Sequence, residues 1–276
     1  MKQALCSISS NAEVVPGADL MWIDAPDIAA TAQPGQFITV RCGGFTLRRP
    51  FSIHRSSPLT GEDSGEGEIA ILFKVTGKGT LWLSQRQVGE RIDILGPLGK
   101  GFTIAPKSER LLLVAGGIGI APLVFLMQRA LPQHQITLIH GARTAVQLYP
   151  FSSAGKKRTR VSSLPKRVQS IPVTEDGSAG QKGRATDVLP DYLDWADQIY
   201  ACGPVDMYKA MAQMSLRAKR SNLKLKRCQV SLEVRMGCGF GACYCCTANT
   251  KKGLRHVCRD GPVFELDDII WQEVRI

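Results

Sequence analysis

The feature that most constrains this chain is a cysteine-rich segment close to its C-terminal end. Cys238, Cys243 and Cys246 stand at the spacing C-x4-C-x2-C, and Cys258 follows after eleven further residues. This spacing is typical of a loop in which four thiolates hold a [2Fe–2S] cluster. Glycines at positions 237, 239 and 241 suit such a loop, which must turn backbone N–H groups inward and adopt positive φ. The segment therefore predicts a centre that transfers single electrons.

A zinc knuckle and a disulfide are the alternative explanations of these cysteines. Zinc sites usually contain two C-x2-4-C pairs separated by a longer spacer, whereas three cysteines crowd together here and the fourth stands apart. The spacing therefore favours the cluster. Cys245 adjoins Cys246 and is interpreted as a bystander. The chain has 9 cysteines and no recognisable secretory signal, which predicts a reducing, cytoplasmic location.

Length and composition limit the remaining possibilities. A chain of 276 residues, 44% hydrophobic and 21% charged, is expected to fold as about two domains with substantial cores. Its longest apolar run, 111–127, contains three glycines and a proline, which predicts a strand, a turn and a helix rather than a membrane span.

The net charge of +11 is concentrated in two basic stretches, 155–167 and 217–227. Neither stretch is interleaved with aromatic residues that could stack on bases, so nucleic acid is not expected as a partner. A solvated face, or a surface that meets an acidic protein or a cofactor phosphate, is the preferred interpretation. The role of 155–167 stays open.

The pattern of apolar and polar residues changes along the chain. Short alternating or β-branched runs at 36–41, 68–75 and 91–95, separated by turn residues, predict a small antiparallel barrel. Beyond residue 109, apolar strands alternate with helices, which predicts a doubly wound parallel sheet. We expect these strands at 110–115, 136–140, 169–173 and 198–202, and helices at 122–130 and 205–216.

Two motifs in the barrel part have the chemistry of a phosphate and flavin site. In Arg49-Pro50-Phe51-Ser52, the guanidinium can bind a pyrophosphate bidentately and the hydroxyl can reach a flavin ring edge. By itself, the motif would be better explained as an ordinary edge strand with a surface arginine pair. Gly79 and Thr80 strengthen the prediction, since they offer backbone N–H groups and a hydroxyl at the start of a helix.

Two further turns lie at the carboxyl ends of predicted parallel strands. The first, Gly116-Gly117-Ile118-Gly119, follows a buried strand and opens a helix, so it suits a phosphate, although a tight strand–helix turn is the alternative. The second is Cys202-Gly203-Pro204. Ligands of open α/β sheets bind at this edge, so both turns are candidate cofactor contacts.

In this order, the motifs resemble the ferredoxin–NADP reductase superfamily over nearly the whole chain. The resemblance implies an FAD-binding β-barrel over 1–104, an NAD-binding α/β domain over 105–227 and a [2Fe–2S] segment over 228–276. It implies cluster ligation by Cys238, Cys243, Cys246 and Cys258. It implies no catalytic residue in this chain, and it implies cofactor contacts from Arg49, Pro50, Phe51, Ser52, Leu72, Phe73, Lys74, Val75, Gly79, Thr80, Gly116, Gly117, Ile118, Gly119, Cys202, Gly203 and Pro204.

Three stretches look more specifically like the electron-transfer subunits of type B dihydroorotate dehydrogenases. They are 174–187, the CGFGACYCC loop and 258–264, which reads CRDGPVF. That family implies a heterotetramer with an FMN-containing catalytic subunit, and electron transfer through the cluster and FAD to NAD⁺ in pyrimidine biosynthesis. Phe51 departs from the tyrosine common in the superfamily, and the Cys246–Cys258 gap is short for the family.

Two alternatives remain from the sequence. One is a reductase subunit of a sulfite reductase-type or hydrogenase-type complex, and the other is a non-catalytic module with structural zinc. Arg143, just after the second strand of the predicted sheet, could accommodate the 2′-phosphate of NADP, although the family implies NAD. Phe240 and Tyr244 could either contact the partner or pack inward.

Overall fold

A closed six-stranded antiparallel barrel forms the N-terminal part of the molecule, in agreement with the sequence. The computed structural model describes residues 1–57, 67–151, 160–161, 163–220 and 227–274. The barrel order is β1-β2-β5-β4-β3-β6. Its strands are β1 Lys2–Val15, β2 Ala18–Asp24, β3 Phe37–Arg41, β4 Arg49–Ser57, β5 Glu68–Lys74 and β6 Arg91–Leu98, with the short helices α1 Pro26–Ala29 and α2 Lys78–Ser84.

Strand β3 is buried on both faces, unlike the half-exposed β6. Ile38 and Val40 point into the barrel core, and Phe37 and Thr39 point outward, yet all four are at most 3% exposed. The outer face of β3 must therefore be covered by another part of the chain. The cover comes from the C-terminal segment described below.

The second part is a seven-stranded sheet of order β10-β9-β8-β7-β11-β12-β15, parallel except for the antiparallel β12–β15 pair. Strands β8 to β10 lie on one side of β7, and β11 and β12 lie on the other, so the strand order reverses between β7 and β11. Open α/β sheets bind ligands at such a point. Its strands are β7 Arg110–Gly116, β8 Gln135–Ala142, β9 Val168–Thr174, β10 Gln181–Lys182, β11 Gln198–Cys202, β12 Arg227–Ser231 and β15 Val263–Glu265. The helices are α3 Ile120–Arg129, α4 Ala185–Val188, α5 Pro190–Leu193 and α6 Val205–Arg220.

Between β12 and β15 the chain forms the cysteine loop, the hairpin β13 Thr247–Thr250 and β14 Gly253–His256, and the short helix α7 Val257–Asp260. The predicted boundary after residue 227 falls at the start of a sheet strand, so the C-terminal segment is built directly onto the nucleotide-domain sheet. The three domain ranges stay a prediction. The apolar run 111–127 folds as strand, turn and helix, and the described residues contain no helix able to span a membrane.

The C-terminal segment also contacts the barrel, at the end of β6. The Lys100 N–H donates to the Gly261 carbonyl at 2.5 Å, and a Cβ on Gly99 would lie at the same distance from that oxygen. A Cβ on Gly35 would lie 2.9 Å from Val263 Cγ2. Glycine is required at both positions because backbone and side chains approach so closely. Barrel, sheet and cysteine loop thus meet along one side of the barrel.

Of the predicted basic stretch 155–167, residues 160–161 and 163–167 are described, and the others lie outside the described residues. Of its charges, Arg160 forms an ion pair with Glu68 at 2.5 Å and lies 4.2 Å from the centre of the Trp22 ring. Glu68 is buried, and although burial alone would raise the pKa of its carboxyl, Arg160 and Ser9 hold that pKa below its usual value. This arginine therefore binds within the protein rather than facing a polyanionic partner.

His54 of the barrel contacts helix α3 and Tyr149 in the second part of the chain. From its burial we predict that stability depends on pH. Its ring nitrogens lie 3.0 Å from the Ala121 carbonyl oxygen and 3.0 Å from the Tyr149 hydroxyl. Burial lowers the His54 pKa from 6.5 to about 3. The unfolded chain therefore binds a proton that the folded chain rejects, and stability should fall by about 1.4 kcal/mol per pH unit as the pH drops from 6.5 towards 3.

Denaturant titrations between pH 7 and pH 4 measure this dependence, with His54→Gln as the comparison. Glutamine does not titrate, so the variant should lose stability less steeply with acidification than the wild type. Buried His140 and the carboxylates titrate in both proteins, so the difference between the two slopes isolates His54. Equal slopes would show that His54 is not the responsible group.

Candidate cofactor sites

The four predicted cluster ligands pair off in the loop after β12. The Cys238 N–H donates to Cys243 Sγ at 3.3 Å, and the Cys258 N–H donates to Cys246 Sγ at 3.4 Å. Two irons that share two sulfides each need two thiolates, so this pairing fits a two-iron cluster.

Backbone N–H groups in this loop favour the thiolate form of Cys238. Burial alone would raise the pKa of Cys238, but the N–H groups of Phe240, Ala242 and Cys243 lower it to about 6. The Ala242 N–H lies 3.2 Å from Cys238 Sγ. Burial and the neighbouring Cys246 raise the pKa of Cys258 to about 12. The Cys258 thiol therefore needs the positive charge of iron to ionise, as ligating thiols do.

The predicted roles of the loop glycines agree with their geometry. Gly239 has φ +83° and Gly241 has φ +93°, conformations that side chains rarely adopt. A Cβ on Gly237 would lie 3.0 Å from Cys243 Sγ, so the missing side chain leaves room for the sulfur. Cys245 points elsewhere, with Sγ 3.8 Å from the Arg235 carbonyl oxygen, which fits its interpretation as a bystander.

Arg49 lies at the first turn of α2, where the predicted phosphate site requires it. A Cβ on Gly79 would lie 3.1 Å from Arg49 Nε, so the guanidinium stands directly over the glycine. The Thr80 hydroxyl is not free for a ligand, because it donates to the Gly77 carbonyl at 3.1 Å and accepts from the Thr76 and Gly77 N–H groups at 2.9 and 3.1 Å. It caps its own helix, so the predicted phosphate site is reduced to Arg49 and the backbone N–H groups.

The rest of the flavin motif divides between the two faces of β4. Phe51 points inward, and its ring centre lies 5.5 Å from that of Phe73. Pro50 and Ser52, two residues apart, share the outer face of the strand. Leu72 and Phe73 are buried by protein at 4% and 2% exposure, so only their backbone groups are available to a cofactor. Of the other two predicted contacts, Lys74 is exposed and Val75 half-buried.

The two turns of the nucleotide-binding sheet pack against each other at the point where the strand order turns back. A Cβ on Gly119 would lie 2.1 Å from the Cys202 carbonyl oxygen, and a Cβ on Gly203 would lie 3.0 Å from Gly116 Cα. These glycines are needed for contact between the turns, which their sequence pattern did not reveal. Gly117 has φ +54°, and a Cβ on it would meet open space, so its backbone remains accessible to a ligand.

Three more predicted contacts lie beside these turns. Ile118 is half-buried, and Pro204 Cδ lies 2.6 Å from the position of a Cβ on Gly116. Cys202 is buried, and burial raises the pKa of its thiol to about 12. The thiol form is therefore favoured over the thiolate. The absence of a catalytic residue from this chain stays a prediction.

One carboxylate beside the Cys202–Pro204 turn was missed from the sequence. Glu233 follows β12, and its charge adds to burial in raising the Cys202 pKa. The Glu233 side chain is accessible to solvent, yet surrounding protein raises its own pKa. No motif in the sequence marks this position.

The cysteine loop lies against the strand pair that contains the flavin motif. A Cβ on Gly239 would lie 2.9 Å from Thr39 Cγ2, and Thr39 pairs with Pro50 across β3 and β4. Thr39 thus lies between the cysteine loop and the part of β4 that contains the predicted flavin motif. The covered outer face of β3 is explained by this contact.

Two family models match the chain. The iron–sulfur cluster binding domain of dihydroorotate dehydrogenase B matches residues 233–270, and the oxidoreductase NAD-binding domain matches residues 113–213. The first range contains all four paired cysteines, and the second contains both packed turns. The predictions of an iron–sulfur cluster and NAD are therefore confirmed.

Curated relatives extend the match over almost the whole chain. The electron transfer subunit of dihydroorotate dehydrogenase B (NAD(+)) from Desulforamulus reducens is 38% identical in an alignment 272 positions long that covers 94% of this chain and 95% of the relative. The subunit of the same name from Shouchella clausii is 32% identical in an alignment 282 positions long, gaps included, that covers 98% of each chain. Neither alternative function, another reductase complex or a zinc module, has a counterpart in these names.

Solved structures support the same architecture. An NADH-dependent reduced ferredoxin–NADP oxidoreductase studied for flavin-based electron bifurcation superposes with a TM-score of 0.79 at 29% identity, covering 98% of this chain and 91% of that chain. A ferredoxin–NADP⁺ reductase from Neisseria gonorrhoeae, with FAD and NADP bound, gives a TM-score of 0.59 at 18% identity over 79% and 92%. The fold of a barrel followed by a nucleotide-binding sheet is thus confirmed.

Paired cysteines, packed glycine turns, the shared fold and the relatives all lead to one assignment, which also confirms the expected NAD linkage and electron-transfer function. The chain belongs to the family of electron-transfer subunits of NAD-linked dihydroorotate dehydrogenase B, which act with a catalytic subunit.

Proposed function

We propose that this chain holds a [2Fe–2S] cluster and FAD in series between NAD⁺ and the FMN of a catalytic subunit that oxidises dihydroorotate. FAD exchanges electron pairs with nicotinamide and single electrons with the cluster, so both groups are needed. The observation that supports this order is the contact of the cysteine loop with Thr39, which pairs with Pro50 of the flavin motif.

The cysteine pairs give the loop an inner and an outer side. Cys246 and Cys258 are buried within the apolar cluster that also includes Phe37 and Leu98 of the barrel, whereas Cys243 is exposed. A cluster held by both pairs would extend from the interior to the surface. Such a position suits a relay that receives electrons from a partner and passes them inward.

The surface around Cys243 supports contact with the catalytic subunit. Phe240 and Tyr244 flank it in sequence, and they are 48% and 65% exposed. Exposed aromatic residues are enriched at protein interfaces, so outward placement favours the docking role over inward packing. We assign this face to the FMN-containing partner, in a heterotetramer that we place in the cytoplasm.

Arg49, the backbone at Gly79, and Ser52 are the proposed FAD contacts of the barrel. The guanidinium would neutralise the pyrophosphate, and the Ser52 hydroxyl, on the outer face of β4, would reach the ring edge. Together with Pro50 and the backbone of 72–75 they would place the flavin on the side of the barrel that faces the cysteine loop.

The turns at 116–119 and 202–204 are the proposed NAD contacts. The open backbone at Gly117 would approach the pyrophosphate at the start of α3, and the second turn would border the nicotinamide. Arg143 is exposed and follows β8. We propose NAD as the physiological nucleotide, as in the names of the relatives.

Replacing Arg49 with alanine should weaken FAD binding by about 10- to 100-fold, because a charge-assisted hydrogen bond contributes about 1.5–3 kcal/mol. Flavin absorbance after exhaustive dialysis measures the retained FAD. Arg48→Ala is the matched control, since the Arg48 guanidinium binds Asp93 at 2.6 Å and has no assigned cofactor role. Equal flavin loss from both variants, or full retention in Arg49→Ala, would contradict the assignment.

Reconstitution with a candidate catalytic subunit tests the proposed function. The assembled complex should contain iron, FMN and FAD and should form NADH when dihydroorotate and NAD⁺ are supplied. Native mass spectrometry would give the stoichiometry, with two copies of each subunit expected. A complex that contains iron and flavin but forms no NADH from dihydroorotate would contradict the proposal, and activity with sulfite or hydrogen would favour the alternative complexes.

A further inference from the structure

The hydroxyl of Thr39 is buried without a hydrogen-bond partner in the described part of the chain. Thr39 is 2% exposed, and its Oγ1 is among the few buried side-chain polar atoms that bind nothing. Native proteins rarely leave such groups unpaired, because burial removes water without replacing its hydrogen bonds. An orphaned hydroxyl therefore points to a missing acceptor nearby.

The surroundings of Thr39 indicate which acceptor this is. Its neighbours Ile38 and Val40 face the barrel core, so its own side chain lies on the outer face, beside Gly239 of the cysteine loop. Phe37, two residues away on the same outer face, packs in one apolar cluster with Cys246 and Cys258. These surroundings are apolar, and the sulfurs of the cysteine loop that packs on Thr39 would carry negative charge once iron is bound.

We propose that Thr39 donates its hydroxyl hydrogen bond to a sulfur of the cluster held by Cys238, Cys243, Cys246 and Cys258, and thereby raises the reduction potential of that cluster. The inference rests on the proposed function, since it requires the cluster. A reduced cluster carries more negative charge than an oxidised one, so a donor stabilises the reduced form more. Hydrogen bonds to the sulfurs are among the properties that set cluster potentials.

Thr39→Val removes the hydroxyl and keeps the shape and strand preference of the side chain. In the assembled complex, a redox titration followed by electron paramagnetic resonance should show the cluster about tenfold harder to reduce. That change corresponds to about 59 mV towards negative potential for a one-electron couple. The measurement reports the cluster itself and does not depend on turnover.

Two further variants separate tuning from a structural effect. Thr39→Ser retains the hydroxyl and should keep the wild-type potential. Thr137→Val makes the same exchange at a buried threonine of β8, far from the loop in the fold, and should shift nothing. An unchanged cluster potential in Thr39→Val would overturn the inference, as would a shift of the FAD potential alone. Absence of iron from the wild type would instead refute the proposed function.

Discussion

Serine in place of Cys243 is expected to abolish electron transfer between this chain and its catalytic subunit. A hydroxyl is a poor substitute for a thiolate at iron, and Cys243 is, with Cys238, one of the two sulfurs proposed for one side of the cluster. Removing a residue that only orients a metal ligand lowers metal affinity or activity by about 10- to 100-fold. Removing a ligand itself should therefore lower dihydroorotate-dependent NADH formation by at least about 100-fold. NADH should still bleach the bound FAD, because the barrel and the nucleotide-binding turns are unaffected.

Cys245→Ser provides the matched control two residues away. Its sulfur faces the Arg235 carbonyl rather than the paired cysteines, so iron content, paramagnetic signal and coupled turnover should all stay at wild-type values. Iron analysis of both variants, together with the two assays, separates cluster loss from general damage. Full coupled turnover in Cys243→Ser, or cluster loss in Cys245→Ser alone, would show that the ligands were assigned incorrectly.

Local patterns predicted most of the architecture. The strand at 110–115 is continuous and apolar because parallel strands are buried on both faces, and it appears as Arg110–Gly116. The helix expected at 205–216 forms as Val205–Arg220. The cysteine spacing predicted the iron–sulfur segment that the family model over 233–270 confirms, because ligands close together in sequence can reach one centre with little help from the rest of the fold.

Contacts between distant segments could not be predicted in this way. Thr39 lies in the run Phe37-Ile38-Thr39-Val40, where a threonine is an ordinary strand residue, and only the packing of Gly239 on β3 makes it notable. Thr80 looked like a phosphate ligand, yet its hydroxyl binds the preceding backbone, a competition that sequence pattern does not resolve. The sequence suggested that Gly119 lets a ligand approach the backbone. In the structure, Gly119 is needed because the Cys202–Pro204 turn packs against it.

The packing of Gly119 against the Cys202–Pro204 turn predicts a large loss of activity when a side chain is added at Gly119. Gly119 has φ −59°, so alanine would suit its backbone conformation, but the added Cβ would lie 2.1 Å from the Cys202 carbonyl oxygen and 2.4 Å from its carbon. Backbone atoms of a buried turn cannot move aside as a side chain can, so the two turns must separate. A displacement of about 1 Å at a positioned site costs about 100-fold in rate, which we expect for FAD reduction by NADH in Gly119→Ala.

Gly17→Ala is the control for replacing a glycine with alanine. Gly17 has φ +73° in the turn between β1 and β2, and its added Cβ would meet nothing within 4 Å. Backbone strain should lower its stability by about 1–2 kcal/mol while the rate of FAD reduction by NADH stays unchanged. In Gly119→Ala, by contrast, FAD should remain bound and dithionite should still reduce both cofactors, because only the nicotinamide side is displaced. Wild-type rates of FAD reduction by NADH in Gly119→Ala would show that the packed turns are not the NAD site.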